Sequence, residues 1–283
     1  MDHFFLPMII LILWISQQII KSGKWNVPLQ EQVSVELTSQ CNFKCKHCIK
    51  KNVYLGKSYI DEMGLLNIFK DLKNSGVDII ELSGGEPLTH PKFIEILEHS
   101  LDLFSMVSIV TNGYLINNDI LELFYKYKDK IQLQISLYGN TQPYVEWFSG
   151  RPNAYKRSKR AIDLATNQGI YVTSNMIITP LNLSELNPTI QLSKKLGASS
   201  FIVSIAGTSN EDELYFSPDN IRLLSCEISA VKDIFGDYIS QTPEYLLINN
   251  ENTPYCDICA KTMAITSNGD LKICPMVTTP QLD

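Results

Sequence analysis

The sequence predicts an α/β protein: a partial (β/α)6 barrel of the TIM type, extended at its carboxyl end by a small cysteine-rich β-hairpin. Three observations carry that expectation. Six short runs of β-formers alternate with stretches of helical periodicity along residues 33–205. Each helical stretch is long enough to return the chain for a parallel strand, and crossovers of that kind are right-handed. The cysteines, finally, gather at 41–48 and 256–274, at the head and the tail of the pattern.

In order along the chain, "VSVEL" (33–37) reads as the first strand. After a cysteine loop, "LLNIFKDLKNSG" sets Leu65, Ile68, Phe69 and Leu72 on one helical face and stops at Gly76. "VDIIEL" is the second strand; Pro91 then opens a helix carrying Ile94, Leu97, Leu101 and Phe104 inward, and "MVSIVT" is the third strand. A helix about 119–128, the strand "IQLQISL", a helix about 153–167 ending at Gly169 and the strand "YVTSNMII" follow. A helix about 184–196 ending at Gly197 and the strand "SSFIVSI" complete the set. Six units fall short of a closed eight-stranded barrel, so an open sheet is expected, with its chemistry at the carboxyl ends of the strands. "PDNIRLLSCEISAVKDIF" reads as one more helix, with Cys226 on its apolar side as a buried core residue.

Composition limits the function classes. With 283 residues, 45% of them hydrophobic, the chain can bury a sizeable core. Its formal charge of −6 and the lack of a Lys/Arg stripe argue against nucleic acid as a partner. Seven cysteines, an odd number in two clusters with Cys226 between them, make a poor disulfide framework and suit metal ligation in a reducing cytoplasm. The first 24 residues stand apart. Their apolar run from Phe4 to Ile15 reaches Ile20 only by way of Ser16, Gln17 and Gln18, and roughly 20 apolar residues are needed to span hydrocarbon. Asp2 and His3 precede the run where a secretory signal carries positive charge. This segment reads as a helix packed on the protein or a partner, or as a weak membrane anchor through residues 4–20. The expected division is therefore 1–24, a barrel core at 25–240, and a cysteine-rich region at 241–283.

The loop "SQCNFKCKHCIK" follows the first strand, where such a barrel keeps its chemistry. Its spacing is Cys-x3-Cys-x2-Cys through Cys41, Cys45 and Cys48. A structural zinc site wants four ligands, usually as two Cys-x2-Cys pairs, and zinc stays an alternative for a lone loop of this kind. Three thiolates on one short loop can also wrap three corners of a [4Fe–4S] cubane and leave the fourth iron open to a ligand. After the second strand, "ELSGGEPLTHP" offers Gly84 and Gly85 for close backbone approach to a ligand, Glu86 as a carboxylate for an ammonium group, and Pro87 to stiffen the exit. A tight strand-to-helix turn uses the same residue types.

Taken together, "CNFKCKHC" at 41–48, "SGGEP" at 83–87, "TNG" at 111–113 and "ISLYG" at 135–139 resemble the radical S-adenosylmethionine (SAM) superfamily. The resemblance covers about residues 33–205. It implies that the amino and carboxylate groups of SAM chelate the fourth iron, and that one-electron reduction cleaves SAM to methionine and a 5′-deoxyadenosyl radical. It also implies that Glu86, with the backbone of Ser83, Gly84 and Gly85, meets the methionine amino group, that Ser136 and Asn175 contact ribose or carboxylate, and that Arg151 meets the SAM carboxylate. His47 falls where the family often places an aromatic residue near the adenine, and packing suits it better than ligation. No catalytic side chain beyond the cluster stands out.

The tail resembles the start of a SPASM or twitch extension, which binds auxiliary iron–sulfur clusters: Cys256 and Cys274 match its first two ligands, and Cys259 offers an extra one. A zinc knuckle is the alternative. "KTMAITSNGDLKIC" reads as a hairpin turned at Asn268-Gly269. The further cysteines of a complete SPASM region do not follow Cys274. Barrels with this kind of tail resemble enzymes that modify ribosomally made peptides. The implied partners are a peptide substrate, an external electron donor and a separate peptide-recognition protein. A radical SAM enzyme acting on a small molecule or on a protein such as a sulfatase, and a non-catalytic iron–sulfur protein, are the alternative readings.

Overall fold

The computed structural model describes residues 32–48, 59–206, 213–243 and 262–272. The residues at 1–31, with the apolar segment, and Cys256, Cys259 and Cys274 lie outside them.

Six parallel strands form the body of the sheet: β1 (Gln32–Thr38), β2 (Ile79–Gly84), β3 (Met106–Thr111), β4 (Ile131–Ser136), β5 (Tyr171–Ile178) and β6 (Ser200–Ile205). Between them run helices α1 (Glu62–Asn74), α2 (Phe93–Leu103), α3 (Asn118–Lys126), α4 (Gln142–Ser149), α5 (Ala154–Asn167) and α6 (Leu186–Lys195), and α7 (Pro218–Phe235) follows β6. A short β7 (Ile239–Gln241) pairs with β6 at one edge. At the other edge β8 (Thr262–Ile265) lies parallel to β1 and turns into β9 (Leu271–Lys272). Among the described residues the order β7-β6-β5-β4-β3-β2-β1-β8-β9 does not close on itself, so the barrel is partial.

Strand alternation sorts the side chains. One face of the sheet sends Val33, Val35, Leu37, Ile80, Leu82, Val107, Ile109, Leu133 and Ile135 into a single core with Leu65, Phe69 and Leu72 of α1, Ile96 and Leu97 of α2, and Phe124 of α3. Truncating Phe69, fully buried there and edge-on to Phe104, is worth about 3–5 kcal/mol. A second core joins Met176, Ile178, Phe201 and Val203 to α6 and α7. The other face is polar. Ser34 donates to Glu81 at 2.8 Å and pairs with Ser83 at 2.9 Å, while Gln132, Gln134 and Ser136 alternate with the buried residues of β4.

Two helical assignments need correcting, and one helix is new. Ile94 is 42% exposed; α2 starts at Phe93, and its inward stripe begins with Phe93 and Ile96. Cys226 is exposed, because Leu224, Ile228 and Val231 carry the buried face of α7. The helix α4 has no counterpart in the sequence reading: its eight residues are too few to declare a period, though Pro143 near its start and Gly150 at its end bracket it.

Candidate active site

At the carboxyl ends of β1 to β6 lies a cavity of about 290 Å3 lined by all three loop cysteines, Ser83 to Glu86, Ser136 and Asn175. Thr111, Asn112 and Tyr138 complete its polar rim, and Val110, Ile177 and Ile205 give it an apolar wall. The sheet therefore converges residues separated by more than a hundred positions onto one site, as parallel α/β folds do at this end.

The cysteine loop is clamped from two sides. Gly85 N–H donates to Thr38 O at 2.7 Å and Glu86 N–H to Gln40 O at 2.8 Å, pinning the loop where it leaves β1. A Cβ on Gly84 would stand 2.4 Å from Thr38 O, and one on Gly85 would stand 2.3 Å from Gln40 O. These glycines are thus required for contact with the loop backbone, a role beyond the ligand approach expected of them. On the opposite side Lys44 N–H and Lys46 N–H donate to Ser149 O (2.9 Å) and Phe148 O (2.8 Å) at the end of α4. Four backbone hydrogen bonds fix a segment that has no secondary structure of its own.

Within the loop Cys41 is exposed, Cys48 half-buried and Cys45 buried. Phe43 N–H donates to Cys41 Sγ at 3.3 Å. Cys45 Sγ lies 3.8 Å from the hydroxyl of Tyr138. Among the described residues no three His, Cys, Asp or Glu side chains gather as ligands of a single ion; the three thiols line one cavity.

Glu86 is 1% exposed. Its carboxylate accepts from Thr111 Oγ1 at 2.7 Å, Asn112 N–H at 2.8 Å and Leu88 N–H at 3.3 Å. Burial pushes its carboxyl up to about 7 against the pull of those three bonds. Asn112 in turn donates through Nδ2 to Asn42 Oδ1 at 2.7 Å, which joins the β3 turn to the cysteine loop. Tyr138 is held by the Asn182 amide, which donates to its carbonyl at 3.1 Å, and by ring contacts with His47 (5.2 Å) and Phe148 (5.1 Å). Burial first and the neighbouring Cys45 second push its phenol well above the usual value.

Of the expected residues, Arg151 and His47 need separate comment. Arg151 is not among the lining residues; its guanidinium lies 4.7 Å from the centre of the Tyr114 ring. His47 does line the cavity and stacks on Phe148 at 4.8 Å and 11°. Sequence reasoning assigned no role to Thr111, Asn112, Tyr138 or Asn182. The first three sit in the strings "TNG" and "ISLYG", while nothing local marks Asn182.

The donor set fits an iron–sulfur cluster and SAM. Three thiols supply soft ligands, and Asn175 Oδ1 is a buried acceptor with no hydrogen-bond partner on a residue that lines the cavity. Comparison with known proteins agrees. The model of the Radical SAM superfamily matches residues 35–193, and the chain belongs to that superfamily. Membership makes it an enzyme whose cofactors are a [4Fe–4S] cluster and SAM. It is 34% identical over 189 residues to the antilisterial bacteriocin subtilosin biosynthesis protein AlbA of Bacillus subtilis, covering 65% of this chain and 41% of that protein. It is 30% identical over 198 residues to the AdoMet-dependent heme synthase of Methanosarcina barkeri, covering 68% and 56%. Among solved structures, Streptococcus suis SuiB bound to SAM superposes with a TM-score of 0.77 at 17% identity, over 95% of this chain and 66% of SuiB. The chain thus spans less than two thirds of each of these three relatives.

Proposed function

We propose that this chain cleaves SAM reductively at a cluster held by Cys41, Cys45 and Cys48, in order to modify a ribosomally synthesised peptide. The observation that carries the reading is the convergence of the three thiols with Ser83–Glu86, Ser136 and Asn175 on one cavity. When bound, the cluster and SAM supply an electron and a primary alkyl radical able to abstract hydrogen from an unactivated C–H bond. The protein does the rest. The clamps from Gly85, Glu86, Phe148 and Ser149 hold the cysteine loop rigid, and the β2 backbone at Ser83, Gly84 and Gly85 presents groups for the amino end of SAM. The Glu86 carboxylate already accepts three hydrogen bonds from the chain, so it braces the site and adds its charge from that position. Asn175 Oδ1 and Ser136 offer polar contacts on the facing strands, while the apolar wall of Val110, Ile177 and Ile205 keeps water from the reacting atoms. Arg151, whose guanidinium lies over the Tyr114 ring, is the cation assigned to the SAM carboxylate in this reading.

Support for a peptide substrate comes from the relatives: AlbA serves bacteriocin biosynthesis, and SuiB has been crystallised with its precursor peptide SuiA. Cys256, Cys259 and Cys274 flank the β8–β9 hairpin in sequence and would serve an auxiliary iron–sulfur cluster, with electrons from an external donor and guidance from a separate recognition protein. The cysteine usage supports a cytoplasmic location for the enzyme. No described helix is long and apolar enough to cross a membrane.

The test is the appearance of 5′-deoxyadenosine, measured by mass spectrometry, after anaerobic reconstitution with iron and sulfide and addition of SAM and dithionite. The wild-type chain should form it and Cys45→Ala should not. Product from both, or from neither when iron is bound, defeats the proposal.

A further inference from the structure

Tyr138 has no task in the proposed function, although several neighbours hold it in the cavity wall. It is 8% exposed and stands just beyond the end of β4. Asn182 fixes its backbone carbonyl, and its ring packs edge-on to both His47 and Phe148. Its hydroxyl meets the Ser136 side chain and lies 3.8 Å from Cys45 Sγ. In the metal-free chain the thiol donates across that gap. A metal-bound thiolate carries no proton, so the polarity of the pair must then reverse, leaving the phenol as the donor.

We propose that Tyr138 is a positioning residue for the cluster: its hydroxyl donates to the Cys45 thiolate and raises the reduction potential of the iron–sulfur couple. The proposal rests on the reading that Cys45 holds iron. Its physical basis is charge. Reduction adds one negative charge to the cluster and its thiolates, and a hydrogen bond to a thiolate stabilises the more negative state more than the less negative one. Burial strengthens the effect, since Cys45 and Tyr138 are both 8% exposed and little water competes for the sulfur. The loop sulfurs are unequal in this respect. Cys41 is exposed and receives a backbone N–H from Phe43, whereas Cys45 is the buried one and faces a side chain that mutation can remove.

Tyr138→Phe deletes the hydroxyl and keeps the ring against His47 and Phe148. The experiment poises reconstituted wild type, Y138F and Phe148→Leu at one fixed potential with dithionite and viologen mediators. It then counts reduced spins by electron paramagnetic resonance in the signal that C45A lacks. In Y138F the ratio of reduced to oxidised cluster should fall about tenfold, equivalent to 59 mV for a one-electron couple. F148L loosens the same ring cluster but retains the hydroxyl, and should move the ratio less than about threefold, the lesser effect expected where the hydrogen bond to sulfur survives. A Y138F protein that melts with the wild type yet fails to keep its cluster also assigns the hydroxyl to the cluster. An unchanged ratio in Y138F, an equal fall in F148L, or a Y138F chain that does not fold overturns the proposal. Wild-type protein that takes up no iron at all overturns the cluster reading itself, and this inference with it.

Discussion

Glu86 sits with a carboxyl near 7 in a site where three donors already engage its oxygens. Because the folded value lies above the unfolded one of 4.5, the folded state binds the proton more tightly. The stability this confers is complete below pH 4.5 and is lost as the pH rises through about 7. The metal-free wild type should therefore lose about 3 kcal/mol between those limits relative to Glu86→Gln, a slope that urea titration across the pH range measures directly. Gly85 gives a second test at this scale. Gly85→Ala drives a Cβ into Gln40 O and should cost about 1–3 kcal/mol while displacing the cysteine loop. The stability loss appears in denaturant melts, and the displacement as a reduced iron content after reconstitution.

The loops at the carboxyl ends of the strands are built from side-chain substitutes for secondary structure. Asn182 is fully buried; its Oδ1 accepts from Thr179 N–H at 2.7 Å while its amide donates to the carbonyls of Ile177 and Tyr138. That one side chain ties the end of β5 to the end of β4. Asn182→Leu strands a buried N–H and two carbonyls and should cost about 1–3 kcal/mol for each group left unpaired, read from thermal melting. Nearby, Glu185 accepts from Asn140 N–H at 2.7 Å and from the Thr141 hydroxyl, fixing the turn that leads into α4. The helix α4 matters because its last carbonyls hold the cysteine loop. Its shortness hid it from periodicity, whereas α1 and α5 were legible because thirteen and fourteen residues suffice to repeat an apolar stripe.

For the molecule as a whole, the parallel sheet continues past β1 into the hairpin. Val33, Val35 and Met263, Ile265 are buried on the paired strands, so β8 covers an apolar edge of the sheet. Ending the chain after residue 243 removes that cover. Such a protein should melt at a lower temperature and aggregate on concentration, which calorimetry and light scattering report. Cys226→Ala, by contrast, alters an exposed helical position and should leave iron content and melting unchanged.

The sequence by itself determined the order of six β/α units, the inward stripes of the long helices and the strings that mark the superfamily. Each of these is local: a period, a turn residue or a spacing that neighbours along the chain suffice to define. It misplaced Ile94 and Cys226, because the phase of a helix against its sheet is set by packing and not by composition. Only the tertiary structure decided that Gly84 and Gly85 face the cysteine loop, that the Glu86 carboxylate spends its oxygens on Thr111, Asn112 and Leu88, and that Tyr138 meets Cys45. Apart from the local bond from Leu88, those pairings join residues 25 to 93 positions apart, and distances of that kind are fixed by the sheet.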